Sequence, residues 1–273
     1  MTIMSRDYTV PAPPSPPSIE ARNVFKAFGS VQALKDVSMW ALPGEVTAII
    51  GDNGAGKSTL IKIIAGVETA DEGEILLDGS PVNFTDPESA RQAGIETVYQ
   101  TLGLVEDLTI WQNLFLNREI TRNWIITRTL NKPEMRARAS TMLDDLDVYI
   151  PSVKARVRGL SGGQRQAVAI ARAAGWSSRV VIMDEPTAAL GVRETAKVED
   201  LIRRLREKGL AIIVISHNFD QVLRVSDQVW AMRQGRVMAG LRAADTTGDE
   251  LVALITGAVA GAQTPQEEEP IDD

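Results

Sequence analysis

The 273-residue sequence contains no cysteine, which excludes disulfides and thiolate metal sites and suits a cytosolic protein. It has no apolar run near the roughly 18 residues a membrane span requires. Met1 to Val10 lacks the apolar core of a signal peptide. Any service to a membrane is therefore expected from its cytoplasmic face. An excess of positive charge is missing as well: 29 Lys and Arg face 36 Asp and Glu, a net charge of -7. That balance argues against nucleic acid as the main partner, although a local basic patch can hide in an acidic total. The remaining composition, 44% hydrophobic and 24% charged, is that of a globular protein with one or two domains.

Two ends stand apart. Residues 11–17 read PAPPSPP, too proline-rich for helix or sheet, so residues 1–17 are expected to form a disordered, extended leader. Residues 259–273 close on EEEPIDD and are expected to be a disordered acidic tail. Either end could instead bind a partner.

Between them, strand and helix patterns alternate. Val46-Thr47-Ala48-Ile49-Ile50 reads as a buried strand running into a glycine-rich loop. Lys57 to Ala65 follows as a helix with Leu60, Ile61, Ile63 and Ile64 apolar and Gly66 as its stop. Glu74-Ile75-Leu76-Leu77 runs into the tight turn Asp78-Gly79, which marks a small antiparallel part. Val180 to Met183 and Ala211 to Ile215 are two further apolar strands, separated by a charged helix over Arg193 to Lys208. This spacing predicts an α/β fold with a mostly parallel sheet flanked by helices. The stretch 102–174 shows no comparable β run and predicts an inserted helical subdomain. The expected division is one domain over 18–258, with its catalytic core in 18–101 and 175–258.

Gly51-Asp52-Asn53-Gly54-Ala55-Gly56-Lys57-Ser58-Thr59 fits the phosphate-loop pattern G-x-x-x-x-G-K-[ST] between that strand and that helix. Glycines let backbone N–H groups turn inward around phosphate oxygens, and the helix directs its positive end at the same anion. Lys57 is expected to reach the β- and γ-phosphates and Ser58 to hold Mg²⁺. The strand Val180 to Met183 closes on Asp184-Glu185, and in such sheets strand carboxyl ends face the ligand crevice. Asp184 is expected near the metal and Glu185 against an attacking water, the two tasks that phosphoryl transfer requires. Only one phosphate loop is present and there is no internal repeat, so the chain reads as a single P-loop NTPase unit.

Leu160-Ser161-Gly162-Gly163-Gln164 opens a helix with Val168, Ile170, Ala171 and Ala174 on its apolar stripe. Ser161 suits an N-cap, and paired glycines let an anion approach bare N–H groups. This pentapeptide, in order with the phosphate loop and the Asp184-Glu185 pair, resembles the signature motif of ABC ATPases over roughly Ile19 to Gly257. The resemblance implies ATP with Mg²⁺, and a head-to-tail dimer in which Ser161, Gly162, Gly163 and Gln164 close on the other copy's ATP. A lone subunit would then bind ATP but hydrolyse it poorly. It also implies roles for three residues: Phe28 as the aromatic against adenine, with Phe25 its rival; Gln100 at the metal or the water; and His217, the single histidine, at the γ-phosphate.

One departure stands out: after Pro186-Thr187 the chain reads Ala188-Ala189-Leu190-Gly191, where most family members end on aspartate. The wording there, in Tyr99 to Leu104, in Asn113 to Leu116 and in Ser216-His217-Asn218 resembles ATPases of ribose-, xylose- and fructose-type importers. The implied machine has two copies of this chain under two membrane permease subunits, fed by an external solute-binding protein. Leu102 to Leu116, with Leu104, Val105, Leu108, Ile110 and Trp111, would be the permease docking surface or subdomain core. Rival readings are an exporter or non-sugar importer ATPase, a soluble ABC ATPase on nucleic acid, and a regulator that no longer hydrolyses.

Overall fold

The computed structural model describes residue 8 and residues 10–124 and 127–259; the expected acidic tail lies outside the described residues except for Val259. In chain order the first elements are β1 (Ile19–Phe28), β2 (Val31–Ala41), β3 (Val46–Ile50), α1 (Lys57–Ile64), β4 (Glu72–Leu77) and β5 (Ser80–Val82). Next come α2 (Pro87–Gln92), β6 (Ile95–Val98), α3 (Ile110–Leu114), β7 (Thr121–Trp124), β8 (Thr127–Leu130), α4 (Lys132–Asp144) and α5 (Gly162–Trp176). The last are β9 (Val180–Asp184), α6 (Val192–Glu207), β10 (Ala211–Ile215), α7 (Phe219–Val225), β11 (Gln228–Arg233), β12 (Arg236–Arg242) and α8 (Gly248–Thr256). Among the described residues, no helix is long and apolar enough to cross a membrane.

The chain forms two compact units, residues 1–42, 47–86 and 216–273 in one, and residues 43–46 and 87–215 in the other. The first unit contains an antiparallel sheet in the order β2-β1-β4-β5. Asp78 and Gly79, with φ of 49° and 76°, make the tight turn between β4 and β5 that the sequence predicts. In the same unit β11 pairs with β3 in parallel and with β12 in antiparallel fashion. Every residue of β3 is buried, which is why it reads as a continuous apolar run rather than an alternating one. Ala48 and Ile50 of β3 pack with Val229, Ala231, Leu251 and Leu254.

Among its described residues the leader has no helix or strand through Pro17, yet this part is not a solvated end. Tyr8 is buried, and its hydroxyl donates to Glu250 Oε1 at 3.0 Å. Trp40 Nε1 donates to the Pro11 carbonyl at 2.9 Å, while the Trp40 ring meets Trp230 edge-on at 5.6 Å. The rigid prolines keep this segment extended, and two aromatic side chains give it somewhere to lie.

The second unit carries three parallel strands in the order β10-β9-β6. Val98 of β6 faces Met183 of β9, and Ile215 of β10 faces Asp184 of β9, so the three carboxyl ends are level. Its core joins Val181, Met183, Ile212 and Val214 of the strands with Ile170 of α5 and Leu205 of α6. Strands and helices share that cluster, so the compact unit reaches beyond 102–174 and includes β6, β9 and β10.

The stretch 102–174, expected to be mostly helical, also carries a short β hairpin. β7 and β8 form an antiparallel hairpin there, with Thr121 opposite Leu130 and Trp124 opposite Thr127. Four-residue strands written Thr-Arg-Asn-Trp and Thr-Arg-Thr-Leu have no apolar alternation for periodicity to detect.

Candidate active site

In the first unit the phosphate loop is shaped by backbone crowding. A Cβ on Gly51 would lie 2.3 Å from the Met232 carbonyl oxygen, and one on Gly56 would lie 2.7 Å from that of Ala33. Gly56 also has φ of 100° as the N-cap of α1, a conformation for which only glycine is unstrained. No side chain caps this helix start, so its first-turn N–H groups are offered as a backbone donor set. Gly235 N donates to Ala55 O at 3.1 Å and ties the loop to the β11–β12 turn. Lys57 Nζ donates to Gly51 O at 2.6 Å and Asp52 O at 2.9 Å, which folds the ammonium back along the loop. Asp52, Asn53, Gly54 and Ser58 are exposed, Lys57 and Thr59 half-buried, and Ala55 buried. An uncapped helix start, a crowded glycine cradle and an ammonium at its mouth fit a polyphosphate.

Phe28 ends β1 with 47% of its surface exposed, and Lys26 Nζ sits 5.4 Å from its ring centre. Its rival Phe25 is half-buried within the same strand. His217 lies exposed on the bend before α7, held by its neighbours. Asn218 N donates to Ser216 Oγ at 3.1 Å, and Asn218 Oδ1 caps α7 by accepting from Gln221 N at 3.0 Å.

In the second unit, β9 ends at Asp184 and the chain turns sharply at Glu185, whose φ is 50°. Glu185 N donates to Ile215 O at 3.0 Å and its carbonyl accepts from Ala188 N at 3.1 Å. A left-handed glutamate costs on the order of 1 kcal/mol, and such strain gathers at functional turns. β6 stops at Val98, opposite Met183, so Gln100 follows a strand end beside that of Asp184. Gln100 is exposed in a turn.

The signature helix α5 begins as the sequence predicts. Ser161 is its N-cap: Ser161 Oγ accepts from Gln164 N at 3.2 Å, and Gln164 Oε1 accepts from Ser161 N at 3.0 Å. A Cβ on Gly162 would meet only Leu190 Cδ2 at 3.5 Å, and one on Gly163 would meet the flexible Glu194 side chain at 2.6 Å. Gly191 is the N-cap of α6 without any side-chain cap bond.

The segment 102–116 is part core and part surface. Ile110 and Trp111 are core and offer no surface, whereas Val105 and Leu116 are 43% and 38% exposed. Leu104 packs against the core from a half-buried position. Asn113, fully buried, accepts from Val105 N at 2.7 Å and donates to Val105 O at 3.0 Å, so it pins this loop. On β6, Glu96 is buried and paired with Arg118, whose guanidinium lies 4.9 Å from the Trp176 ring centre. Burial pushes the Glu96 carboxyl above its ordinary value of 4.5, with the attraction of Arg118 opposing.

The proposed donors to a divalent cation are the Ser58 hydroxyl, the Gln100 amide and the Asp184 carboxylate, all oxygen. Among the described residues no group of three or more His, Asp or Glu side chains gathers as a metal cluster. Oxygen donors with few carboxylates fit Mg²⁺ carried with phosphates better than a resident metal cage.

Comparison with known proteins agrees with this chemistry. The model of a family described as ABC transporter matches residues 34–188. The fructose import ATP-binding protein FrcA of Rhizobium meliloti is 48% identical over 246 residues, which cover 89% of this chain and 95% of that protein. The xylose/arabinose import ATP-binding protein XylG of Sulfolobus acidocaldarius is 45% identical over 243 residues, with the same two coverages of 89% and 95%. Among solved structures, the ADP conformation of MJ1267, an ATP-binding cassette of an ABC transporter, superposes with a TM-score of 0.74 at 29% identity. It covers 89% of this chain and 96% of its own. A dimeric post-hydrolysis state of the cassette MJ0796, bound to ADP and Pi, gives 0.68 at 28% identity, over 82% of this chain and 98% of its own. Relatives this similar, spanning the phosphate loop, the acidic strand end and the signature helix in one alignment, make the chain a member of the ABC transporter family and one of its nucleotide-binding ATPase cassettes.

Proposed function

We propose that this cassette powers the uptake of a sugar through membrane permease subunits, on the cytoplasmic face of the membrane. The observation that carries the reading is the near full-length similarity to import ATP-binding proteins for fructose and for xylose/arabinose. Two copies would work head to tail, as the dimeric solved cassette encourages, with an extracytoplasmic solute-binding protein delivering the sugar. The open space around Gly162 supports this arrangement, since nothing in the chain itself requires a glycine there.

In the proposed cycle Phe28 stacks on adenine, which needs a flat face and nothing base-specific. The backbone of Gly51 to Thr59 and Lys57 hold the phosphates. Ser58, Gln100 and Asp184 would hold Mg²⁺, which would supply positive charge against the phosphates. Glu185, on the strained turn just past Asp184, accepts a hydrogen bond from the attacking water. His217 donates one N–H to the γ-phosphate. Ser161 to Gln164 present a second helix start to the phosphates bound by the other copy.

Two measurements test the reading. Glu185→Gln should keep ATP binding, accumulate a nucleotide-bound dimer and lose turnover by at least about 10²-fold, the scale of a general base. Steady hydrolysis by that variant removes Glu185 from its role. For the cargo, cells with and without the chain are compared for uptake of labelled pentoses and hexoses. Uptake that depends on the chain supports the import of a sugar; chain-dependent efflux, or no dependence for any sugar, overturns it.

A further inference from the structure

Gln100 stands on a loop whose shape is set from α5. Leu102 and Gly103 are both left-handed, with φ of 60° and 55°. Two short turns precede them, Leu102 N donating to Tyr99 O at 2.8 Å and Gly103 N to Thr101 O at 2.7 Å. Both carbonyls then accept from one guanidinium: Arg172 Nη1 donates to Gly103 O at 2.8 Å and Arg172 Nη2 to Leu102 O at 2.9 Å. A planar fork that grips two successive carbonyls fixes direction as well as distance, which a lysine ammonium cannot do.

Arg172 holds this position under electrostatic stress. Burial lowers its pKa below the ordinary arginine value; Glu96 opposes the shift, and the neighbouring Arg91 and Arg118 add to it. The guanidinium stays charged all the same. A cation among cations and partly out of water is costly unless its donors are well used. Here they grip a loop two residues past Gln100. On its own helix, Arg172 lies eleven residues beyond the Ser161 cap, about 16 Å at 1.5 Å per residue.

We propose that Arg172 is a positioning residue for ATP hydrolysis, clamping the Gln100 loop to the signature helix through the Leu102 and Gly103 carbonyls so that Gln100 and the Ser161–Gln164 helix start move as one body. This rests on the ATPase-site reading above. Its consequence is that a partner copy pressing on the helix start also sets the amide of Gln100, without any residue between them that touches nucleotide.

The test uses the full chain. Hydrogen exchange without nucleotide should show the amides of residues 99–104 exchanging about tenfold faster in Arg172→Ala, with β9, β10 and α4 unchanged. In ATPase assays the same variant should lose about tenfold in kcat at an unaltered KM for ATP. On a Gln100→Ala background, Arg172→Ala should change kcat no further, because the clamp would have nothing left to place. Arg172→Lys keeps the charge and a single donor, and should give partial effects of about threefold in both readouts; it serves also if the alanine variant does not fold. Equal losses on both backgrounds, or exchange that rises across the whole unit, would overturn the proposal in favour of a merely structural arginine. Unchanged exchange over 99–104 would overturn it too. If instead Gln100→Ala and Glu185→Gln both hydrolyse ATP normally, the site reading itself fails, and the exchange experiment still reports whether the clamp exists.

Discussion

Two glycine-rich turns precede helices in this chain, and they use glycine for opposite reasons. At the start of α1 the glycines answer to the chain's own backbone, with the Met232 carbonyl 2.3 Å from where a Gly51 Cβ would sit. No side chain caps that helix. At the start of α5 a serine and a glutamine cap each other, and a Gly162 Cβ would find an ordinary contact at 3.5 Å. The phosphate loop is therefore a cradle folded from backbone. The signature start is a side-chain-built helix end whose glycine the chain's own packing does not require. One glycine is required by folding; the other is explained only by the proposed approach of a partner's nucleotide.

The sharpest way to break this contrast is to add one methyl group to each. Gly51→Ala drives a Cβ into backbone that cannot step aside, and should destabilise the protein by about 3 kcal/mol. A thermal scan should show the midpoint falling by about 6–12 °C, with nucleotide affinity reduced in parallel. A variant as stable as wild type would mean that the loop relaxes around Met232 and is not set by it.

Gly162→Ala should behave in the reverse way. Alanine is the better helix former and meets no close neighbour, so stability should stay within about 0.5 kcal/mol. On the proposed head-to-tail arrangement ATP turnover should nevertheless drop by about tenfold, because the methyl would lie over amides offered to the partner's phosphates. Turnover at the wild-type level would erase the distinction between the two turns.

Ser161→Ala tests the capping half of the contrast. It removes the 3.2 Å bond from Gln164 N to Ser161 Oγ while leaving the backbone N–H of residue 161 free to donate to Gln164 Oε1, and should cost about 1 kcal/mol in denaturant unfolding. No equivalent substitution exists at α1, where the cap is already a glycine.

The same division explains what was legible in the sequence. Backbone-built features announce themselves, since a glycine demanded by crowding stands at a fixed offset from Lys57, and a strand buried on both faces is written as an unbroken apolar run. The parallel strands were readable for that reason. Side-chain-built features were legible only in part: the Ser161 cap was, because its residue type is typical of a helix start, while others were not. Arg172 looks like any polar residue on an amphipathic helix, and only the left-handed pair Leu102 and Gly103 shows what it holds. Glu185 gives no hint of its positive φ, because its type is chosen for chemistry and not for the turn. Ile110 and Trp111 could not be told from a docking surface, since apolar residues serve core and interface alike. The leader looked solvated by composition, while its described part is held by the Tyr8 hydroxyl and the Pro11 carbonyl.

The smallest effect probes how side-chain charge is tolerated in the second unit, where the first unit relies on backbone. Glu96 is buried with Arg118, and burial outweighs that attraction in holding its pKa above the ordinary 4.5. The folded chain therefore binds this proton more tightly than the unfolded chain does. Between the unfolded and folded values stability must fall as pH rises, because the native state holds more proton there. Glu96→Gln cannot ionise and should lack this fall. Denaturant midpoints of the two proteins, measured from below pH 4.5 to neutrality, isolate the term as a difference, with the other carboxylates common to both. Wild type should lose ground to the variant as pH rises through and just above that value. A difference of the opposite sign would show that Arg118 more than offsets the burial of its partner, and that this half of the molecule uses an ion pair for strength as well as for position.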